Sequence, residues 1–191
     1  MNRAADIALA GLGLVLASPV LAGAALAIKV EDGGPVLFRQ TRVGKDGEDF
    51  ALFKLRTMVV DAERQGAGYA VDRGDSRITR VGRFLRRTSI DELPQLWNVV
   101  RGDMSVIGPR PTLRYQVDRY TERQRRRLEA RPGLTGWAQI HGRASLPWAD
   151  RIELDLWYVR HHDWKTDLLI LLRTPLALFG STYRGETGGW R

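Results

Sequence analysis

Two adjacent carboxylates, Asp91 and Glu92, stand in the stretch TSIDELPQLWNVVR, residues 88–101. Ser89 followed by Glu92 has capping-box spacing. Leu93, Leu96, Trp97 and Val100 then recur at i, i+3, i+4 and i+7, which predicts a helix with one apolar stripe. Pro94 is tolerated only near the start of such a helix, so both acids fall in its first turn. Carboxylates can act as nucleophiles or accept protons. Acidic first turns are equally ordinary complements of the helix dipole, so the pair alone leaves both roles open. Shortly after it comes GDMSVIGPRP, residues 102–111, where Pro109 and Pro111 flank Arg110. The double proline keeps Arg110 out of a helix. A rigid extended loop presenting a guanidinium suits a phosphate or nucleotide site, and it would also serve as a plain connector.

The elements that must position these residues can be read from hydropathy. Residues 36–58 alternate in two runs around Gly44-Lys45-Asp46-Gly47, a β-hairpin carrying cationic side chains. Residues 59–80, with Gly66, Gly68 and Gly74, predict a short helix and a loop. Residues 114–131 predict a basic helix with Arg119, Arg123, Arg125, Arg126, Arg127 and Arg131, either a solvated face or a membrane-facing patch. Residues 132–143 form a turn-rich loop. Residues 151–163 predict a helix with Ile152, Asp155, Leu156 and Val159 on one face. Asp167 opens the apolar run LLILLRTPLALF, too short to span a bilayer and suited to a core or interfacial helix. The six tryptophans with several arginines suit a domain lying at a membrane surface, while each tryptophan taken singly is more often a core residue.

From Ile7 to Ile28 there is no charged residue. That length can cross a bilayer as a helix. A cleaved signal, a transmembrane helix and a helix broken at Ser18-Pro19 that re-enters the same leaflet all fit. Pro19 removes a backbone donor, and Ser18 can return a hydrogen bond to the freed carbonyls. Arg3 before the run, and Lys29, Arg39, Arg42 and Lys45 after it, would put both flanks on one side of the membrane.

Composition narrows the classes. The chain has 191 residues, 43% hydrophobic and 27% charged, enough for a core in one domain with an appendage. Its formal net charge of +8 favours anionic partners. The absence of cysteine excludes disulfides, a thiol nucleophile, Cys-ligated zinc and iron–sulfur clusters, and three histidines leave little for a zinc site. Aromatic residues do not interleave with the Arg-rich stretch as a nucleic-acid stacking platform would, so no nucleic-acid partner is expected. A polytopic membrane protein would need more than one long apolar run.

These pieces, taken in order, resemble the bacterial sugar transferases, the monotopic phosphoglycosyl transferases that act on undecaprenyl phosphate. The resemblance rests on Ser18-Pro19, FRQTRVG at 38–44, FKLRTM at 53–58, GRFLRRTSIDELPQ at 82–95, GDMS at 102–105, GPRP at 108–111, RPGLTGW at 131–137 and DLWYV at 155–159. His141, His161 and Asp163 depart from the expected pattern, where Asn, Asn and Ser are usual; these positions bear on sugar choice or local packing, and the two histidines are expected to be structural.

The resemblance implies an α+β, mainly α fold. It implies a monotopic protein with a re-entrant helix–break–helix over 1–30, favoured by Ser18-Pro19. A catalytic domain over 31–191 would lie on the cytoplasmic face of the bacterial inner membrane, with a β-hairpin and interfacial amphipathic helices. The implied reaction moves a sugar phosphate from a UDP-sugar to undecaprenyl phosphate, releasing UMP, as the first membrane step of exopolysaccharide or other glycoconjugate assembly. Asp91 would form a covalent phospho-sugar. Two anionic substrates repel, and a covalent relay lets each bind in turn. Mg²⁺, a hard oxygen-bound cation, would sit at Asp91 and Glu92. Glu92 would hold the metal or accept a proton. Arg86 and Arg110 would clamp phosphate oxygens, the Pro109-Arg110-Pro111 loop would border the uridine, and Lys54 and Arg56 would add positive charge. Asp155 and Tyr158 would assist.

Overall fold

The computed structural model describes residues 2–65, 74–142 and 145–180. The loop glycines Gly66 and Gly68, Arg143 and Trp190 lie outside them. Chain order is α1 (Arg3–Asp32), β1 (Leu37–Val43), β2 (Asp49–Leu55), α2 (Arg80–Thr88), α3 (Gln95–Arg101), β3 (Ser105–Ile107), α4 (Arg114–Val117), α5 (Glu122–Arg125), β4 (Gly133–Thr135), α6 (Trp137–Ile140), α7 (Trp148–His161) and α8 (Trp164–Gly180). The expected mainly helical α+β class is what forms.

The expected break in the first helix does not form; α1 is continuous through Pro19. The reason is local. A helix would bond residue 19 N–H to the Val15 carbonyl, and proline has no N–H. Ser18 Oγ donates to that same carbonyl at 2.7 Å, so no acceptor is orphaned. Asn2 caps the start by accepting from Ala4 N, and Gly33, at φ 69°, ends the helix by donating to Lys29 O.

Both ends of α1 are tied to the rest of the protein. Arg3 donates to Val99 O at 2.6 Å and Val100 O at 2.8 Å, covering the end of α3. Asp6 is buried and accepts from Ser105 Oγ and Val106 N. At the other end, Glu31 accepts from Arg80 N and Val81 N at the start of α2, and Asp32 pairs with Arg56. Between these ends Ala10, Ala24 and Ile28 face inward, while Leu12, Val15, Leu16, Leu26 and Val30 are exposed.

β1 and β2 form the expected antiparallel hairpin, Leu37 opposite Leu55 and Val43 opposite Asp49. The segments expected as loops at 102–111 and 132–143 contain β3 and β4, a short parallel pair. Its tightness needs glycine: a Cβ on Gly133 would lie 2.0 Å from Gly108 N, and one on Gly136 2.2 Å from Gly108 O. The expected basic helix over 114–131 is instead α4, α5 and a 3-10 turn, Arg126–Glu129. Its arginines are not one face. Arg127 is buried, Arg123 pairs with Glu153, and Arg131 donates to Gly102 O. In the stretch expected as a short helix and loop, a 3-10 turn forms at Ala62–Arg64.

α7 buries Ile152, Asp155, Leu156 and Tyr158, close to the expected face. α8 is amphipathic: Ile170 is buried, while Trp164, Leu168, Leu172 and Leu176 form an exposed stripe at four-residue spacing. Among the described residues no tryptophan is fully buried, though Trp137 and Trp148 pack against the core clusters. Trp97, Trp157 and Trp164 are exposed, and Trp137 and Trp148 are half-buried.

α2 approaches the hairpin exit so closely that a Cβ on Gly82 would lie 2.0 Å from Thr57 O, with the rest of that peptide within 2.7 Å. Gly82→Ala should therefore cost about 2 kcal/mol or more through overpacking against backbone. Thermal unfolding of the purified variant measures this. A melting temperature equal to wild type would show that α2 can slide off Thr57 freely.

Candidate active site

The expected capping box is not made. Ser89 adopts left-handed φ 56°, and its N–H bonds back to Arg86 O, so it ends α2 rather than starting a helix. The chain reverses there and enters a 3-10 turn, Ile90–Glu92. Pro94 then precedes α3, whose buried side chains are Gln95, Leu96, Asn98 and Val99. Trp97, expected in the apolar stripe, is exposed. The acid pair thus sits between two helices, flanked by Ile90 and Leu93. Ile90 belongs to the apolar cluster of Ala24 and Ile28, and Leu93 to that of Ala10.

Glu92 is bound from two sides. Lys54 Nζ donates to Oε1 at 3.1 Å, and Arg110 Nη2 donates to Oε1 at 2.6 Å. Burial raises the Glu92 pKa, but Arg110 and Lys54 outweigh it and hold the carboxyl well below its usual range. Asp91 is the opposite case. It is 7% exposed, and its carboxylate accepts no hydrogen bond from a side chain or backbone group among the described residues. Burial first, and then the Glu92 charge, push it up to about 6, against the pull of Lys54, Arg86 and Arg110. Two adjacent carboxylates driven apart in acidity take different roles.

Of the other expected site residues, Arg86, Lys54 and Arg110 converge on the acids. Arg86 leaves the last turn of α2 and donates Nε to Thr57 Oγ1 at 2.8 Å. Pro109 and Pro111 are buried while Arg110 projects between them. Arg56 is placed elsewhere: it joins Asp32, Pro35 O and Met58 O at the junction of α1 and the hairpin. Asp155 is fully buried against Arg127, Nε to Oδ2 2.7 Å; burial raises its pKa and the arginine opposes. Tyr158 donates to Asp167 at 2.6 Å, and burial, then that bond, raise its pKa. Ser18 and Pro19 lie within α1. His141 and His161 each bond the carbonyl four residues back; His141 lies tilted against Trp137 and His161 stacks on Trp157.

Sequence reasoning missed Asn98, which accepts from Phe53 N and donates to Ala51 O, locking α3 to the strand that carries Lys54. An amide inside an apolar helical run was the available signal. Among the described residues no cluster of three or more acidic or histidine side chains could hold a metal ion. Asp91 and Glu92 alone fit a cation that completes its shell with substrate oxygens, as Mg²⁺ commonly does, and the unpartnered Asp91 carboxylate has lone pairs for it.

A family model described as bacterial sugar transferase matches residues 1–181. The chain is 48% identical over 185 residues to the UDP-glucose:undecaprenyl-phosphate glucose-1-phosphate transferase of Caulobacter vibrioides, covering 93% of this chain and 69% of that protein. It is 43% identical over 190 residues to a UDP-N-acetylgalactosamine-undecaprenyl-phosphate N-acetylgalactosaminephosphotransferase of Aeromonas hydrophila, 95% of this chain and 45% of that one. An uncharacterised sugar transferase of Bacillus subtilis shares 42% identity over 174 residues, 91% and 85% of the two chains. With the acid pair and its converging cations at the centre of the matched region, the chain belongs to the bacterial sugar transferase family and is a transferase enzyme.

Proposed function

We propose that this enzyme transfers a sugar phosphate from a UDP-sugar to undecaprenyl phosphate, through a covalent intermediate on Asp91. The observation that carries the reading is the divergent pair: an unpartnered, raised carboxylate beside a lowered one bound by Lys54 and Arg110. The named activities of the Caulobacter and Aeromonas relatives supply the substrate classes.

In the first step an Asp91 oxygen forms a bond to the sugar-bearing phosphorus, and the bond from that phosphorus to the bridging oxygen breaks. UMP leaves with the electron pair. In the second, an oxygen of undecaprenyl phosphate attacks the same phosphorus, and Asp91 leaves as carboxylate. A pKa near 6 keeps Asp91 mostly ionised at neutral pH yet more basic than an ordinary aspartate, which favours attack. Glu92, held anionic, fixes Lys54 and Arg110 rather than serving as a base. Arg86, Lys54 and Arg110 face the phosphate oxygens, where planar guanidinium suits bidentate contact. Pro109 and Pro111 hold Arg110 beside the uridine. Mg²⁺ bound by Asp91 and Glu92 would reduce repulsion between carboxylate and phosphate.

The acceptor is a lipid, and α1 is long and apolar enough to enter a bilayer. Because Arg3 and Asp6 at one end and Glu31 and Asp32 at the other contact the same domain, we read α1 as embedding its exposed apolar side in one leaflet, with both ends on the same side of the membrane. Residues 31–191 would lie on the cytoplasmic face of the inner membrane, where UDP-sugars are made, with α8 and Trp97 at the interface. The pathway is assembly of an exopolysaccharide or related glycoconjugate.

UMP release in detergent, with undecaprenyl phosphate, Mg²⁺ and a panel of UDP-hexoses and UDP-N-acetylhexosamines, tests the reaction. Asp91→Asn should lose activity by at least a thousandfold; near-wild-type release would remove Asp91 as nucleophile. The same variant should be more stable at pH 7. Asp91 goes from an ordinary 3.8 to about 6 on folding, so its ionised form opposes folding above pH 6, partly between 3.8 and 6, and not below. The gain should be about 3 kcal/mol at neutral pH and fade out below pH 3.8, read by denaturant unfolding across pH. Less stable protein at pH 7 would mean the carboxylate supports the fold. The chain lacks cysteine, so single cysteines at Asn2 and Gly34 can be labelled in sealed vesicles. Both should react from the same side; labelling from opposite sides would make α1 a span.

A further inference from the structure

The Arg110 loop is tied down at every carbonyl. Pro109 O accepts from Gly133 N at 2.8 Å, Arg110 O from Arg127 Nη2 at 2.6 Å, Pro111 O from Arg42 Nη1 at 3.3 Å, and Thr112 O from Val43 N at 2.9 Å. Four donors come from three places in the chain: β1, the 3-10 turn at Arg126–Glu129, and β4. Two are backbone amides that any residue would supply. Arg42 reaches in from β1 at the longest distance and is itself oriented by Gln40. The remaining donor, to the carbonyl of Arg110 itself, is a side chain from the 3-10 turn at Arg126–Glu129.

Arg127 is buried, and all three of its guanidinium nitrogens are used. Nε donates to Asp155 Oδ2 at 2.7 Å, Nη1 to Tyr120 OH at 2.8 Å, and Nη2 to the Arg110 carbonyl. Trp148 lies over it at 5.8 Å. Asp155, on α7, balances the charge, so two arginines can sit near one loop without mutual repulsion deciding the geometry. A buried pair of this kind is not needed for stability, since apolar replacements of matching size commonly serve as well. What an apolar pair cannot do is donate to the Arg110 carbonyl.

We propose that Arg127, oriented by Asp155, is a positioning residue that fixes the Arg110 guanidinium against Glu92 and the donor phosphates. Asp155 thus acts two residues removed from the chemistry, through Arg127 and then the Arg110 backbone. The inference rests on the reaction proposed above. Its consequence is that donor turnover depends on a guanidinium that touches no substrate.

The test uses the full chain in detergent and four variants: Arg127→Met, Arg127→Lys, Arg127→Met with Asp155→Leu, and Arg127→Met with Arg110→Ala, measured beside Arg110→Ala. UMP release is followed against UDP-sugar concentration with the panel above, together with thermal unfolding. The Arg127→Met/Asp155→Leu variant should melt close to wild type and still lose about 30- to 100-fold in kcat/KM for the donor, the scale of a small misplacement. Lysine keeps the charge but cannot reach Asp155, Tyr120 and the Arg110 carbonyl together, so Arg127→Lys should fold and be similarly impaired. It carries the same comparison should the apolar pair not fold. Once Arg110 is alanine, removing Arg127 should cost less than about threefold more. Wild-type kcat/KM in the apolar pair would reduce Arg127 and Asp155 to a packing role and overturn the inference. So would losses that multiply in the Arg110→Ala background. Silence of the wild-type chain across the panel would instead overturn the proposed reaction, and the inference with it.

Discussion

A helix with one strongly apolar exposed side is held to the domain by charged groups at both of its ends, and most of the architecture depends on that arrangement. Thirty residues rise about 45 Å. Over that length Arg3 and Asp6 bond α3 and β3, while Glu31 and Asp32 bond the start of α2 and Arg56. Asp6 is buried, and a buried carboxylate without its donors would be costly, so the N-terminal end has little freedom to leave. The inward side of α1 then becomes the floor on which the acid-bearing turn is built. Ile90 is drawn to one half of the helix and Leu93 to the other, and Asp91 and Glu92 lie between these two anchors.

That placement explains why two adjacent carboxylates behave differently. A 3-10 turn points consecutive side chains about a third of a revolution apart, so neighbours meet different surroundings. Glu92 meets Lys54 from the hairpin and Arg110 from its loop. Asp91 meets burial and the Glu92 charge. The cations near Asp91 act on it through space without bonding it, which leaves its oxygens available. An α-helical first turn with Glu92 folded back as a capping residue would have occupied one of the two acids with backbone. The left-handed Ser89 is what prevents it: by ending α2 there, it frees Glu92 for Lys54 and Arg110.

The hairpin, the helix at 148–161 and the amphipathic final helix were legible because their periodicities are regular and local. The acid pair, Arg86 and the Pro109-Arg110-Pro111 loop were legible as motifs. What could not be read were the contacts set by tertiary closeness. Ser89 and Glu92 fit a capping box by spacing, and only the αL turn after α2 shows that Ser89 serves the preceding helix. The parallel pairing of β3 with β4 joins three-residue segments more than twenty residues apart, too short for alternation to register. Pro19 argued for a break, but one hydroxyl on the Val15 carbonyl suffices to continue the helix. Arg127 looked like one of several solvated arginines, because nothing in a run of basic residues marks the one that turns inward.

The arginines also change what the basic composition means. A net charge of +8 suggests a surface that collects anions. Several of the arginines are instead committed to carbonyls and carboxylates of the protein itself. Arg3 and Arg56 fasten the two ends of α1, Arg42 and Arg127 hold the loop carbonyls, and Arg131 meets Gly102 O. Guanidinium suits these tasks because it keeps its charge when buried and offers donors in a fixed fork, so one side chain can join three segments. Arg86 and Arg110 are the same residue type in a different setting: each is anchored on one side, by Thr57 or by its own carbonyl, and turned toward the acids on the other. The guanidinium groups that face the acids are therefore ones whose neighbours have already fixed their direction.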